Sequence, residues 1–135
     1  MTNLSASSDN NPNQSGLTWS RSERAAARKA FDAALGRELH EVIQEAKQMA
    51  SQIRQSSDLW DLEYYLTQRR KEIDRKYDYR YSQLTDVFGR LLQENRLREE
   101  DLHGLREEKL KSIHSYADFW RRWTQHDCID LDSER

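Results

Sequence analysis

The chain is short of the residues that staple, break or thicken a fold. Its 135 residues include one cysteine, Cys128, and one proline, Pro12, and its four glycines are scattered at positions 16, 36, 89 and 104. A lone cysteine excludes an internal disulfide. Scattered glycines exclude a glycine-rich phosphate loop, and neither an HExxH pair nor paired CxxC motifs occur. Hydrophobic residues make up only 36% of the chain, against roughly 45–50% in an ordinary globular domain. No apolar run approaches the roughly 20 residues that span a bilayer. The opening MTNLSASSDNNPNQSG lacks the apolar stretch of a signal peptide. Neither sign of charge prevails: 22 basic and 24 acidic residues leave a net charge of −2, which argues against the basic face that nucleic acid requires. The histidines at 40, 103, 114 and 126 lie far apart. His114 and His126 with Asp127 and Cys128 could be imagined as metal ligands, but surface residues near a loose tail are the simpler reading. A soluble, cytosolic, non-enzymatic protein with no cofactor or metal is expected.

What the chain has in abundance is charge, 34% of its residues, laid over helical periodicity. Residues 1–17 are rich in Ser, Asn and Gln, have little to bury, and are read as disordered. Ser20 followed by Glu23 has capping-box spacing and marks a helix start. Phe31, Leu35, Leu39, Val42, Ala46, Met49 and Ile53 then recur at steps of three and four, one stripe along a helix. QSSD at 55–58 breaks it, with Ser57 or Asp58 as the next cap. A second stripe, from Leu59 through Leu62, Leu66, Ile73, Tyr77, Leu84 and Phe88 to Leu91, predicts one long helix over 59–92. QEN at 93–95 is the next break, and a third helix is expected from near Arg98 to Trp123. The expected architecture is all-α: a long antiparallel helical hairpin, its two helices about 50 Å each at 1.5 Å per residue, plus a shorter third helix. The helical domain spans 18–123 and an acidic flexible tail 124–135. A chain so poor in apolar residues leaves part of its seam uncovered. A second copy is the natural cover, giving an elongated homodimer.

The segment DLWDLEYYLTQRRKEIDRKYDYR at 58–80 stands out. Between Arg69 and Arg80 it carries six basic and three acidic residues, most of them an exposed, ion-paired face. Arg69 and Arg70, however, fall where the seam calls for an aliphatic residue. An arginine turned inward requires an acidic partner, and a carboxylate of a facing subunit would serve. Trp60 is likewise large for the start of a helix. Tryptophan and arginine are enriched at interface hot spots, so Trp60 and Arg70 are assigned to a subunit interface. Trp120 and Trp123, three apart on one helix face, are expected to pack on the bundle or its partner.

These residues resemble the fluorescence recovery protein family of cyanobacteria. The resemblance rests on DLW-x-L at 58–62, Leu66, Arg70, EID-x-KYD-x-R at 72–80, VF at 87–88 and LL at 91–92, and covers roughly residues 18–115. It implies a small all-α dimer that is not an enzyme. It further implies binding to the C-terminal domain of photoactivated orange carotenoid protein, speeding that protein's return from the red quenching form to the orange resting form. For a cyanobacterial host it implies a place at the cytoplasmic face of thylakoids. The residues it assigns to the partner or dimer interface are Trp60, Glu63, Tyr64, Arg70, Asp74, Tyr77, Asp86 and Phe88. Here Glu63 and Tyr64 stand where the family shows His-Asp, Asp86 where it shows an aromatic, and Ser112 where it shows a lysine. The alternative is a divergent dimeric adaptor of the same fold with another protein client, recognised through Tyr64, Tyr65, Tyr79 and the head around Asp86.

Overall fold

A computed structural model describes residues 18–133, with side chains through Gln125. The disorder expected for 1–17 lies outside the described residues, as do the last two positions. Four α-helices and one 3₁₀ turn follow one another, with no strand among the described residues. They are α1 (Arg21–Ser51), α2 (Ser56–Lys76), α3 (Leu84–Gln93), the 3₁₀ turn Glu99–Leu102, and α4 (Glu107–Ser133).

Helix α1 starts where the capping box places it. The Ser20 hydroxyl accepts from the Glu23 amide at 3.2 Å, and the Ser20 amide donates back to the Glu23 carboxylate at 3.0 Å. The same carboxylate is fully buried and also accepts from the Arg106 amide at 2.9 Å and from Lys109 Nζ at 3.1 Å. One local cap is thereby a tertiary anchor for the start of α4.

The core occupies one end of the molecule. Ala27, Ala30, Phe31 and Ala34 from the first half of α1 meet Leu84, Phe88 and Leu91 of α3 and Ile113 of α4, with Leu97, Leu102 and Leu105 from the intervening segment. Gly89 lets α3 and α4 approach closely: an added Cβ there would collide with Tyr116 Cβ and lie 2.8 Å from the Ala117 nitrogen and the Ile113 oxygen. Beyond this head, α2 buries only Ile73 and Lys76. Leu35, Leu39 and Val42 of α1 line a cleft with Leu66 and Ile73 of α2, which locates the contact between these two helices.

Three boundaries differ from expectation. The helix predicted over 59–92 is two helices, α2 and α3, parted by residues 77–83. The reason is aromatic burial. Tyr77 and Tyr79 set their rings edge-on to Phe31, at 5.4 and 4.8 Å between centroids, and Tyr81 reaches Trp19 at 5.6 Å. Rings at every second residue can share one side only if the chain is not helical there. The second helix is therefore about 31 Å long rather than 50 Å. The third helix begins at Glu107, not near Arg98. Asp101 instead accepts from the Arg98 amide and pairs with Arg37 at 2.8 Å, and Gly104 turns the chain at a φ of +101°. Finally, α4 continues to Ser133, beyond the expected end at Trp123.

Two glycines separate packing from propensity. Gly89→Ala is expected to lose about 1–3 kcal/mol or more through overpacking. Gly36→Ala, with nothing within 4 Å of the new Cβ, should gain about 0.5–1 kcal/mol. Thermal melts of both variants check the opposite signs.

Candidate protein-interaction face

The base of α2 is fixed by a buried ionic hub. Glu38 of α1 is 0% exposed, and its carboxylate lies 2.8 Å from Lys76 Nζ and 2.8 Å from Arg69 Nη2. It also accepts from the Tyr77 hydroxyl at 2.9 Å and has Arg96 Nε at 3.4 Å. Lys76 reaches on to Glu94 at 2.8 Å, which Arg90 and Arg96 also hold. Arg69 bonds Glu72, and Arg96 bonds Glu41. Four carboxylates and four cations, plus one phenol, thus join α1, α2, α3 and the loop after α3. Burial pushes the Glu38 carboxyl up, but hydrogen bonds from Lys76, Tyr77 and Arg69 and the positive charge of Lys76 more than offset it, so it stays below the usual carboxylate range. Burial and the neighbouring Glu38 charge push the Tyr77 phenol up, so it stays protonated. Burial likewise raises the Tyr79 phenol, to about 12.

The hub decides which arginine faces inward. Arg69 is the inward one, and its carboxylate partner, Glu38, comes from the same chain rather than from a facing subunit. Arg70, one residue and about 100° further around the helix, is exposed and makes no ion pair among the described residues. It borders the cleft lined by Leu39 and Leu66, and both helices of the arm carry further exposed apolar side chains. Leu39 and Ile43 of α1 and Leu59, Trp60, Tyr64 and Leu66 of α2 are exposed, Trp60 at 62% and Tyr64 at 65%. Glu63 is exposed too and accepts from the Thr67 hydroxyl, while Asp74 lies exposed a turn beyond Arg70. So many exposed large apolar side chains on one pair of helices make the arm the candidate interaction site.

The remaining site residues divide. Phe88 is 0% exposed within the head core, so its role is internal packing and not interface contact. Tyr77 is turned into the hub, and Tyr79 lies against Phe31 and beneath the Arg28 guanidinium at 4.6 Å, away from Tyr64 and Tyr65. Asp86 is half-buried and accepts from Trp120 Nε1 at 2.7 Å, while Arg90 stacks on the Trp120 ring at 4.7 Å. Trp120 thus packs on the bundle, whereas Trp123 is 52% exposed. His114 pairs with Glu99 at 2.9 Å, and no group of three metal-ligating side chains occurs among the described residues. The side chains of His126, Asp127 and Cys128 lie outside the described residues. Glu38 and the Trp120–Asp86 bond were not legible. The signal for Glu38 was a carboxylate set between Leu35 and Leu39 within the apolar stripe.

An all-helical chain with a buried ionic hub and exposed aromatic and arginine side chains has the surface of a protein-binding protein rather than a catalytic pocket. The family described as photoprotection regulator fluorescence recovery protein matches residues 19–117, and the chain belongs to it. That family is one of photoprotection regulators. The curated fluorescence recovery protein of Synechocystis sp. PCC 6803 is 39% identical over 99 residues, 73% of this chain and 91% of that protein. The solved fluorescence recovery protein of Fremyella diplosiphon superposes with a TM-score of 0.71 at 40% identity, covering 75% of this chain and 99% of that one. The Synechocystis structure gives a TM-score of 0.71 at 39% identity, covering 74% and 98%. No helix among the described residues is long and apolar enough to cross a membrane.

The hub makes a pH prediction. The folded Glu23 and Glu38 carboxyls titrate below the unfolded value of about 4.3. Their contribution is therefore fully present above that pH and is lost as pH falls through the folded values. Melting temperature should stay level on the neutral side and drop below about pH 4.3. Glu38→Gln should lower stability at pH 7 by about 1–3 kcal/mol, because Lys76 then keeps only Glu94 and Arg69 only Glu72 as carboxylate partners, and should flatten the acid limb. Melts as a function of pH read both effects.

Proposed function

We propose that this chain is a homodimeric regulator that binds the C-terminal domain of photoactivated orange carotenoid protein and accelerates its relaxation from red to orange, ending antenna quenching. Membership of the photoprotection-regulator family supports the reading, and the observation that carries it is the exposed face of Leu59, Trp60, Tyr64 and Leu66 beside the unpaired Arg70. In this reading α1 and α2 form an antiparallel hairpin arm, and two arms cover one another's apolar face to give an elongated dimer. Trp60, Arg70, Glu63, Tyr64 and Asp74 lie at or beside that junction, and Asp86 on the head contributes to partner contact. A partner that binds the red state, and binds the transition state towards the orange state more tightly still, speeds relaxation without bond chemistry. The setting is cytoplasmic, at the thylakoid surface in a cyanobacterial host.

The test is the dark recovery of orange absorbance after photoactivation, with this chain added at substoichiometric amounts. Faster recovery is expected. An unchanged rate together with absent binding would reject the carotenoid-protein partner. A second reading, an adaptor of the same fold with another protein client, is favoured by Glu63 and Tyr64 in place of a His-Asp pair and by the engagement of Asp86 with Trp120. It predicts no recovery effect from a chain that still dimerises.

Arg70→Glu and Trp60→Ala should each weaken the dimer while leaving helicity intact, because both side chains are exposed in the single chain. Sedimentation at micromolar concentration checks this. An undiminished dimer would place these side chains elsewhere.

A further inference from the structure

Five aromatic rings form an unbroken row at the edge of the head core. Between centroids, Trp19 lies 5.6 Å from Tyr81, Tyr81 5.7 Å from Tyr79, Tyr79 4.8 Å from Phe31, and Phe31 5.4 Å from Tyr77. Trp19 and Phe31 are buried, and the three tyrosines are half-buried. Aliphatic residues could fill the same space. Tryptophan and tyrosine are the aromatic side chains that most readily give up one electron. Electron exchange falls off steeply with the gap between groups, so it is fastest between rings in contact.

The two ends of the row differ in what they can do with a proton. An indole that has lost an electron ordinarily sheds its N–H proton to a base. Trp19 Nε1 is buried and has no hydrogen-bond partner among the described residues. The Lys109 ammonium also stands 5.1 Å from the ring centroid. Glu23 offsets part of that charge, but its oxygens are taken by Lys109 and by the Ser20 and Arg106 amides. Oxidised Trp19 therefore stays a radical cation, which is a strong oxidant. At the other end, the Tyr77 hydroxyl donates to Glu38 Oε1 at 2.9 Å. A phenol that has lost an electron is far more acidic than a carboxylic acid, so Glu38 takes its proton even while ion-paired with Lys76 and Arg69. Lys76 Nζ lies 5.7 Å from the Tyr77 ring, but its charge is shared between Glu38 and Glu94. In the middle, the Arg28 guanidinium over Tyr79 at 4.6 Å disfavours positive charge on that ring. Phe31 is too hard to oxidise to hold a charge and only bridges Tyr79 to Tyr77.

We propose that this row is a one-way relay for oxidising equivalents, moving an electron vacancy from Trp19 through Tyr81, Tyr79 and Phe31 to a proton-coupled sink at Tyr77 and Glu38. Its substrate class is a one-electron oxidant, such as an oxidised pigment cation or an oxidised metal complex. The oxidant takes one electron from Trp19. Trp19 recovers an electron along the row from Tyr77, whose phenolic proton passes to Glu38. The net products are the reduced oxidant, an intact indole, a neutral Tyr77 oxyl radical and a protonated Glu38. A soluble thiol or enediol reductant then returns one electron to Tyr77, and Glu38 returns the proton. The relay gives a role to a buried indole N–H that packing alone would make costly to leave unbonded. Every group in it belongs to one chain, so it stands or falls independently of any partner.

The test tethers a photo-oxidant beside Trp19 in the full chain. A Thr18→Cys, Cys128→Ser chain carries a ruthenium(II) polypyridyl label at position 18, an exposed site next to Trp19. A flash with an external quencher oxidises the label, and transient absorption with electron paramagnetic resonance tells a tryptophan radical from a tyrosyl. The tryptophan radical cation should give way to a tyrosyl, and heavy water should slow that conversion because a proton moves with the electron. Tyr77→Phe keeps the ring and removes the proton, so the tyrosyl signal should be lost and the tryptophan radical should persist. Tyr116→Phe, outside the row, should leave the tyrosyl yield unchanged. An undiminished tyrosyl yield in Tyr77→Phe would overturn the sink. A tryptophan radical that persists with the row intact, or that loses its own proton, would overturn the relay. If Tyr77→Phe fails to fold by circular dichroism, the labelled chain itself still decides: equal conversion rates in light and heavy water would overturn the proposal.

Discussion

The ionic hub around Glu38 is the constraint on which the rest of the molecule depends. A carboxylate with no solvent exposure is tolerated only when its charge is matched and its oxygens are bonded. Lys76, Arg69 and Tyr77 meet both conditions. In doing so they fix where α2 lies on α1 and how α2 is rotated. With Arg69 committed inward, Arg70 must face out, and with it the surface that runs back through Leu66 to Trp60. Replacing the hub with aliphatic packing could hold the two helices as firmly, but it would not fix the rotation so uniquely. The ionic arrangement therefore contributes orientation as much as stability.

The sequence and structure agree where the governing interactions are local. The Ser20–Glu23 box needs only three residues of spacing, and it starts α1 where expected. The break near 93–95 is also local, made by Asn95 in the left-handed region at φ 65° after α3. The uncovered seam is legible from composition: with so few apolar residues the core closes only in the head, among α1, α3 and α4.

Disagreement arises where two signals overlap or a partner is distant in the chain. Tyr77, Tyr79 and Tyr81 alternate with a period of two, an extended-chain pattern. It was hidden because Tyr77 also continues the helical stripe from Ile73. Arg69 was recognisable as an inward charge, but Glu38 lies 31 residues away, and nothing in the spacing says that the carboxylate belongs to the same chain. Phe88 continues the apolar stripe of the long helix expected over 59–92, and the resemblance also places it at an interface; the fold decides between the two by enclosing it in the head core. Ala27, Ala30 and Ala34 are too small to register in an apolar pattern, yet all three are buried in the head core. The Trp120–Asp86 bond joins residues 34 apart, with no local signature at either end.

These elements combine into one account: a head closed by its own core, an ionic hub that orients the arm, and an exposed arm face that we propose a second copy covers. Hydrogen exchange measured over a dilution series tests that account most directly. It predicts that amides of α3 and the first half of α4 exchange at the same rate at every concentration, whereas those from Leu59 to Arg70 become protected as concentration rises. Exchange along α2 that is slow and independent of concentration would contradict it, because the arm would then need no second chain.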